Sequence, residues 1–91
     1  MKVTFDPAKQ AATLAERGLD FADAVQVFAG VTFELEDTRK PYGEERIICF
    51  GYLGSRMVVV VYVQRGNVRQ IISMRKANDR EKARIAPLLE I

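Results

Sequence analysis

The tightest constraint on how this chain folds is a pair of β-forming runs joined by two turn residues. Residues 57–64 and 68–75 are rich in valine and isoleucine, and Gly66 and Asn67 between them match a two-residue hairpin turn. Such a turn sets the register: Arg65 faces Val68, and every further pair follows in step. In that register Val59, Val61, Val63, Val68, Ile72 and Met74 share one face, which is the expected core. Tyr62, Gln64, Arg69, Ser73 and Arg75 share the other, mixed with Val58, Val60 and Ile71. This second face reads as a partly apolar shelf bearing two arginines, a place where an anionic ligand would lie.

Around the hairpin, the pattern predicts one domain over residues 1–91, a length too short for a second core. Asp6 followed by Pro7 is a helix start, Ala8, Ala11, Ala12 and Ala15 recur at helical spacing, and Gly18 stops the helix. Asp20 caps a second helix that sets Phe21, Ala24, Val25 and Phe28 on one face, where the aromatics read as core, and ends at Gly30. Residues 31–36 and 45–52 are the first two strands, with a turn-rich loop at 37–43 that holds Pro41 and Gly43. A last helix starts at Asn78 with a capping box to Glu81, and Pro87 is expected to kink or end it. The expected fold class is therefore α+β in the order α-α-β-β-β-β-α. Short links between successive strands imply a four-stranded antiparallel sheet with its helices packed on one face.

Several function classes drop out on residue counts. The chain has no histidine, which excludes a histidine triad, a histidine metal site and a two-histidine ribonuclease. No cluster of cysteines and carboxylates has metal-ligand spacing, so no metal and no cofactor are expected. The lone Cys49 sits in an apolar run and is expected to pack as a small hydrophobe, which suits a reducing cytoplasm. No signal peptide is read at the start, and the apolar run 57–63 is too short to span a membrane. Charge is divided: residues 1–38 carry three basic and seven acidic groups, residues 39–91 eleven basic and five acidic. A basic second half suits phosphate binding, and it equally suits a well-solvated sheet surface.

The chemistry-bearing residues by position are Arg46, Arg65, Arg69, Arg75 and Lys76, all on or beside the last three strands. Arginine's planar fork matches phosphate oxygens. Glu44 and Glu45 are the nearest carboxylates in sequence, and pairing of these charges across strands is the simpler alternative.

Segments along nearly the whole chain resemble the BrnT toxin family. Phe5-Asp6-Pro7-Ala8-Lys9 is similar to its opening, and Gly18-Leu19-Asp20-Phe21 with Ala24 and Phe28 to its second helix. Asp37-Thr38-Arg39 and Tyr42-Gly43-Glu44-Glu45-Arg46 resemble its central signature. Val60-Val61-Tyr62 with Arg65, then Ile71-Ile72-Ser73-Met74-Arg75-Lys76-Ala77 and Glu81, resemble its closing one. Three positions depart from the pattern: Arg17 stands where histidine is usual, Gln70 where an arginine is common, and Met74 where alanine is.

The resemblance implies a RelE-like fold and an endoribonuclease toxin. It also implies a BrnA antitoxin, a ribbon-helix-helix protein that forms a hetero-oligomer with the toxin and alone carries it to operator DNA. RNA cleavage needs neither metal nor enzymic nucleophile, because the 2′-hydroxyl attacks the adjoining phosphate. Without histidine, a perturbed carboxylate or lysine must move protons, or electrostatics must do most of the work. The assignment is Glu44 as base and Arg46, Arg69 and Arg75 on the phosphate, with Lys76 or Tyr62 near the leaving oxygen. Arg39, Arg65 and Ser73 contact RNA. The alternative is a catalytically silent antitoxin-binding module acting as co-repressor, which Gln70 favours.

Overall fold

The computed structural model describes residues 1–90. It contains β1 (Lys2–Thr4), α1 (Pro7–Arg17), a 3-10 turn (Phe21–Asp23) leading into α2 (Ala24–Ala29), β2 (Phe33–Glu36), β3 (Ile47–Leu53), β4 (Arg56–Arg65), β5 (Val68–Lys76) and α3 (Asp79–Leu89). Gly66 turns the chain between β4 and β5 with a φ of 61°, which L side chains rarely adopt. Both N-terminal caps act as expected: Asp6 accepts from the Ala8 N–H, and Asp20 from the Ala22 N–H. The Asn78–Glu81 capping box opens α3.

The expected four-stranded antiparallel sheet is corrected to a five-stranded mixed one, in the order β1-β5-β4-β3-β2. The added strand β1 runs parallel to β5, with Val3 opposite Arg69. Three residues just ahead of a helix cap carry too little pattern to announce a strand; the free edge of β5 recruits them. The element order becomes β-α-α-β-β-β-β-α.

Helices cover both faces of the sheet, not one. On the first face Leu19, Phe21, Ala24 and Val27 pack against Cys49, Val58, Val60, Tyr62, Ile71 and Met74. On the second face Ile85 and Leu89 of α3 meet Phe50, Met57 and Val59. Strand β4 is thus buried on both sides, which is why it reads as a continuous run of valines and not as an alternation. Pro87 does not end α3, which continues to Leu89 with the proline in its last turn. Helix α1 has no buried residue; it is tied down by polar contacts, Gln10 to Asp20 at 2.8 Å and Arg17 to the Met74 carbonyl at 2.9 Å. Phe21 of the 3-10 turn and Ala24 and Val27 of α2 form the buried face, while Val25 points out. No helix is long and apolar enough to cross a membrane.

One close approach fixes α2 to the sheet. A Cβ at Gly51 on β3 would lie 2.8 Å from Val27 Cγ1 and 3.2 Å from Thr32 Cγ2. Val27 is fully buried and stiff at its β-branch, so it has nowhere to go. Gly51→Ala is expected to destabilise the fold by about 1–3 kcal/mol, lowering the melting temperature by roughly 4–24 °C for a domain of this size. A thermal melt unchanged from wild type would show that the seam is loose.

Candidate active site

The hairpin register holds only to its middle. Tyr62 faces Ile71, but the next pair is Val61 with Ser73, so Ile72 is an extra residue forming a β-bulge. Past the bulge every side chain of β5 changes sides. Gln70, Ser73 and Arg75 lie on the α3 face with Val63, Val61 and Val59. Arg69, Ile71 and Met74 lie on the α2 face with Gln64, Tyr62 and Val60. The expected grouping of Ser73 and Arg75 with Tyr62 and Arg69 is therefore corrected, as is that of Met74 with Val59. The physical reason is burial: Met74 is fully buried against α2, whereas an unshifted strand would drive the Ser73 hydroxyl into that core.

On the α2 face, Arg69 is enclosed. Its guanidinium carbon lies 4.5 Å from the Phe28 ring centroid and 4.4 Å from that of Tyr62. Its Nε donates to Gln64 at 3.0 Å, and Nη1 is 3.9 Å from Glu34. The Tyr62 hydroxyl donates to the same Glu34 carboxylate. Burial first, then this hydrogen bond, pushes the Tyr62 phenol well above its usual range. Burial and the nearby Glu34 charge likewise push the Cys49 thiol up to about 12. Arg69 and Tyr62 thus have partners within the fold, which join α2, β2, β4 and β5.

The opposite face carries the larger cationic group. The loop 37–46 folds about Asp37, which is 4% exposed. Its carboxylate accepts from Arg39 Nε at 2.8 Å, Arg39 Nη2 at 2.7 Å and the Tyr42 hydroxyl at 3.1 Å. The Arg39 hydrogen bonds hold the Asp37 carboxyl far below its ordinary value and raise the Arg39 guanidinium in turn. The Asp37 N–H donates to the Arg46 carbonyl at 2.8 Å, which closes the loop. The Arg46 guanidinium sits 3.9 Å from the Tyr42 ring centroid. Continuing the β3–β4 register by one residue places Arg46 opposite Val63, in a row with Gln70. Glu44 accepts from Arg65 at 3.0 Å at the exposed rim of this end. The loop walls an open hollow of about 520 Å³.

At the other end Arg75 donates from both Nη atoms to Glu81, each at 2.8 Å. The Glu81 carboxylate also accepts from the Asn78 N–H at 2.9 Å, so it caps α3 and fixes Arg75 at once. The Arg75 pairing lowers Glu81 to about 2 and raises Arg75, whose guanidinium also feels the charge of Arg39. A group depressed in the folded state stabilises it above its unfolded value, near 4.5, and loses that contribution as pH falls towards about 2. Since 44% of the Arg75 side chain is exposed, screening holds the effect to about 1 kcal/mol or less. Glu81→Gln should therefore flatten the stability profile between pH 5 and pH 2 by about that amount. Parallel acid titrations of the two proteins check it; superimposable profiles would mean the pair contributes nothing.

Of the residues singled out in the sequence, this face and its loop hold Glu44, Arg46, Arg65, Arg39, Ser73 and Arg75. Tyr62 and Arg69 stand on the opposite face. Lys76 ends β5 opposite Val58 and lines a separate hollow with Arg56 and Lys82. Sequence reading gave no role to Gln70 beyond its departure from the family pattern, and none to Asp37 or Tyr42 beyond the resemblance. The Asx-turn spacing Asp37-Thr38-Arg39 was the available signal for the loop hub. Among the described residues two buried side-chain atoms lack a hydrogen-bond partner, Arg46 Nε and Gln70 Oε1, both on this face. No three histidine, cysteine or acidic residues among those described lie together in a way that would hold a metal ion.

The class this geometry defines is a small α+β domain that gathers arginines and a serine on one face of a mixed sheet. Residues 5–81 match the model of one family, described as the ribonuclease toxin, BrnT, of type II toxin–antitoxin systems. The chain therefore belongs to the BrnT family of ribonuclease toxins, and an antitoxin partner goes with that membership. Characterised proteins give no match.

Proposed function

We propose that this toxin is a metal-independent endoribonuclease that cleaves RNA on the α3 face of its sheet, acting in the cytoplasm. The observation that carries this reading is the bulge at Ile72, which puts Ser73 and Arg75 on the same face as Arg46. Arg46 and Arg75 stand at opposite ends of that face, roughly 16 Å apart between Cα atoms by strand spacing. That separation suits a single strand laid across the face, each arginine holding phosphate oxygens. Arg46 Nε–H and Gln70 Oε1 are buried on this face without a hydrogen-bond partner, so each would meet RNA only after its side chain turns outward. Ser73 lies between them, and Arg39 and Arg65 flank the path.

In the reaction, the 2′-oxygen bonds to phosphorus as the bond to the 5′-oxygen breaks, leaving a 2′,3′-cyclic phosphate. Glu44 takes the 2′-hydroxyl proton. Solvent protonates the leaving 5′-oxygen, because Tyr62 faces α2 and Lys76 borders a different hollow. The arginines stabilise the charge that gathers on the phosphorane, which is the dominant contribution in a site without histidine. The partner antitoxin is a ribbon-helix-helix protein of BrnA type, and the toxin reaches operator DNA only through that hetero-oligomer.

A second reading, a silent co-repressor, is favoured by one observation: both ends of the Arg75 fork are engaged by Glu81. Incubation of the antitoxin-free chain with a labelled RNA in excess EDTA separates the two. The expected products carry 2′,3′-cyclic phosphate and 5′-hydroxyl ends, and a 2′-O-methyl RNA should resist. Intact RNA from folded protein would give the second reading the field, and 5′-phosphate products that vanish with EDTA would sink the metal-free chemistry.

A further inference from the structure

Beside α3 lies a hollow of about 510 Å³, on the same sheet face as the proposed site but towards the β2 edge. Its floor is Phe33, Phe50 and Ile85, with none of the three exposed. Two leucines stand open at its sides, Leu35 at 42% and Leu88 at 52% exposure. Apolar side chains this exposed on facing elements mark a contact surface when they border one concavity.

The rim gives the sign of the partner. Arg80 and Arg84 line the hollow one helical turn apart on α3, with Leu88 a further turn along. Neither arginine forms an ion pair with a described carboxylate, in contrast to Arg39, Arg65, Arg69 and Arg75. Their ladder of two cations followed by an apolar residue fits a partner helix with carboxylates at one-turn spacing followed by apolar side chains.

We propose that this hollow receives an acidic amphipathic helix of the antitoxin, laid alongside α3; the identity of the occupant rests on the toxin–antitoxin reading. The helix carboxylates meet Arg80 and Arg84, and its apolar side chains enter between Leu35 and Leu88. A second copy of this chain fits poorly, since a two-fold contact would bring both copies' Arg80 and Arg84 into one interface. Single-stranded RNA fits poorly too, because the floor offers no exposed aromatic ring for base stacking. The position also accounts for neutralisation. Asn78 and Glu81 border the hollow, so a seated helix abuts the carboxylate that fixes Arg75 and crowds the face where RNA would lie.

The test is the double variant Arg84→Glu, Leu88→Glu, both surface positions outside the proposed catalytic set, with Arg84→Lys as charge-retaining control. Calorimetry with the purified antitoxin, together with co-expression in growing cells, provides two readouts. The double variant should melt like wild type, cleave RNA at the wild-type rate and lose antitoxin affinity by on the order of 100-fold. Cells expressing it should remain arrested when the antitoxin is co-expressed, and Arg84→Lys should be rescued. Affinity within about threefold of wild type would overturn the proposal. So would a change confined to self-association, or one confined to RNA cleavage with antitoxin binding intact. If the wild-type chain itself neither cleaves RNA nor arrests growth, the ribonuclease reading fails, and calorimetry still decides the groove.

Discussion

Arg75→Ala is expected to reduce RNA cleavage by about 10²–10³-fold while leaving the chain folded. Arg75 is exposed at the end of β5, so its removal opens no cavity. Glu81 loses its partner but keeps the capping box with Asn78, so α3 still starts where it did. The loss in stability should therefore stay within about 1 kcal/mol. What disappears is a planar donor at the end of the proposed RNA path, with Glu81 setting its orientation through two bonds. Arg75→Lys should be nearly as poor, because a point charge does not reproduce the fork. Single-turnover cleavage beside a thermal melt decides this, and a wild-type rate for Arg75→Ala at equal stability would remove Arg75 from the mechanism.

Asp37→Asn should come next in effect, although Asp37 touches no substrate. Its carboxylate anchors Arg39 and Tyr42, and Tyr42 is the surface on which the Arg46 guanidinium rests. The amide keeps the size, loses the charge and presents N–H donors to a guanidinium that can only donate. The loop 37–46 should loosen and the melting temperature fall by several degrees. Cleavage should drop on the order of 10²-fold through misplacement of Arg46. The decline should appear in the rate at saturating RNA and should persist at a temperature where both proteins are fully folded. A rate matching wild type under those conditions would mean that the loop does not position Arg46.

The parts of the fold legible in the sequence are those written in local code. Asp6-Pro7, Asp20 and the Asn78–Glu81 pair announce three caps because each solves a local hydrogen-bonding problem of a helix start. Gly66 announces the hairpin for a similar reason, its left-handed φ. What stayed hidden was decided at a distance. Strand β1 exists because β5 has an edge to fill, and α3 covers a second face because β4 is apolar on both sides. The bulge at Ile72 is the costliest omission. Nothing in Ile71-Ile72-Ser73-Met74 says which of the two isoleucines is the extra residue; the choice is made by Met74 fitting the core under α2. That single residue decides whether Arg75 shares a face with Arg69 or with Arg46. The residue types of the proposed site were accordingly legible, and their partition between two faces was not.

The partition is also where the functional reading is most exposed to test, through Arg46→Ala and Arg69→Ala compared in one cleavage assay. Arg69 is packed between Phe28 and Tyr62 and paired with Glu34, so its loss should lower the melting temperature clearly. Per folded molecule, Arg69→Ala should cleave RNA at close to the wild-type rate. Arg46→Ala should instead melt near wild type and lose cleavage by about 10²-fold or more. A fast Arg46→Ala beside a dead but fully folded Arg69→Ala would place the chemistry on the α2 face and contradict the site proposed for this toxin.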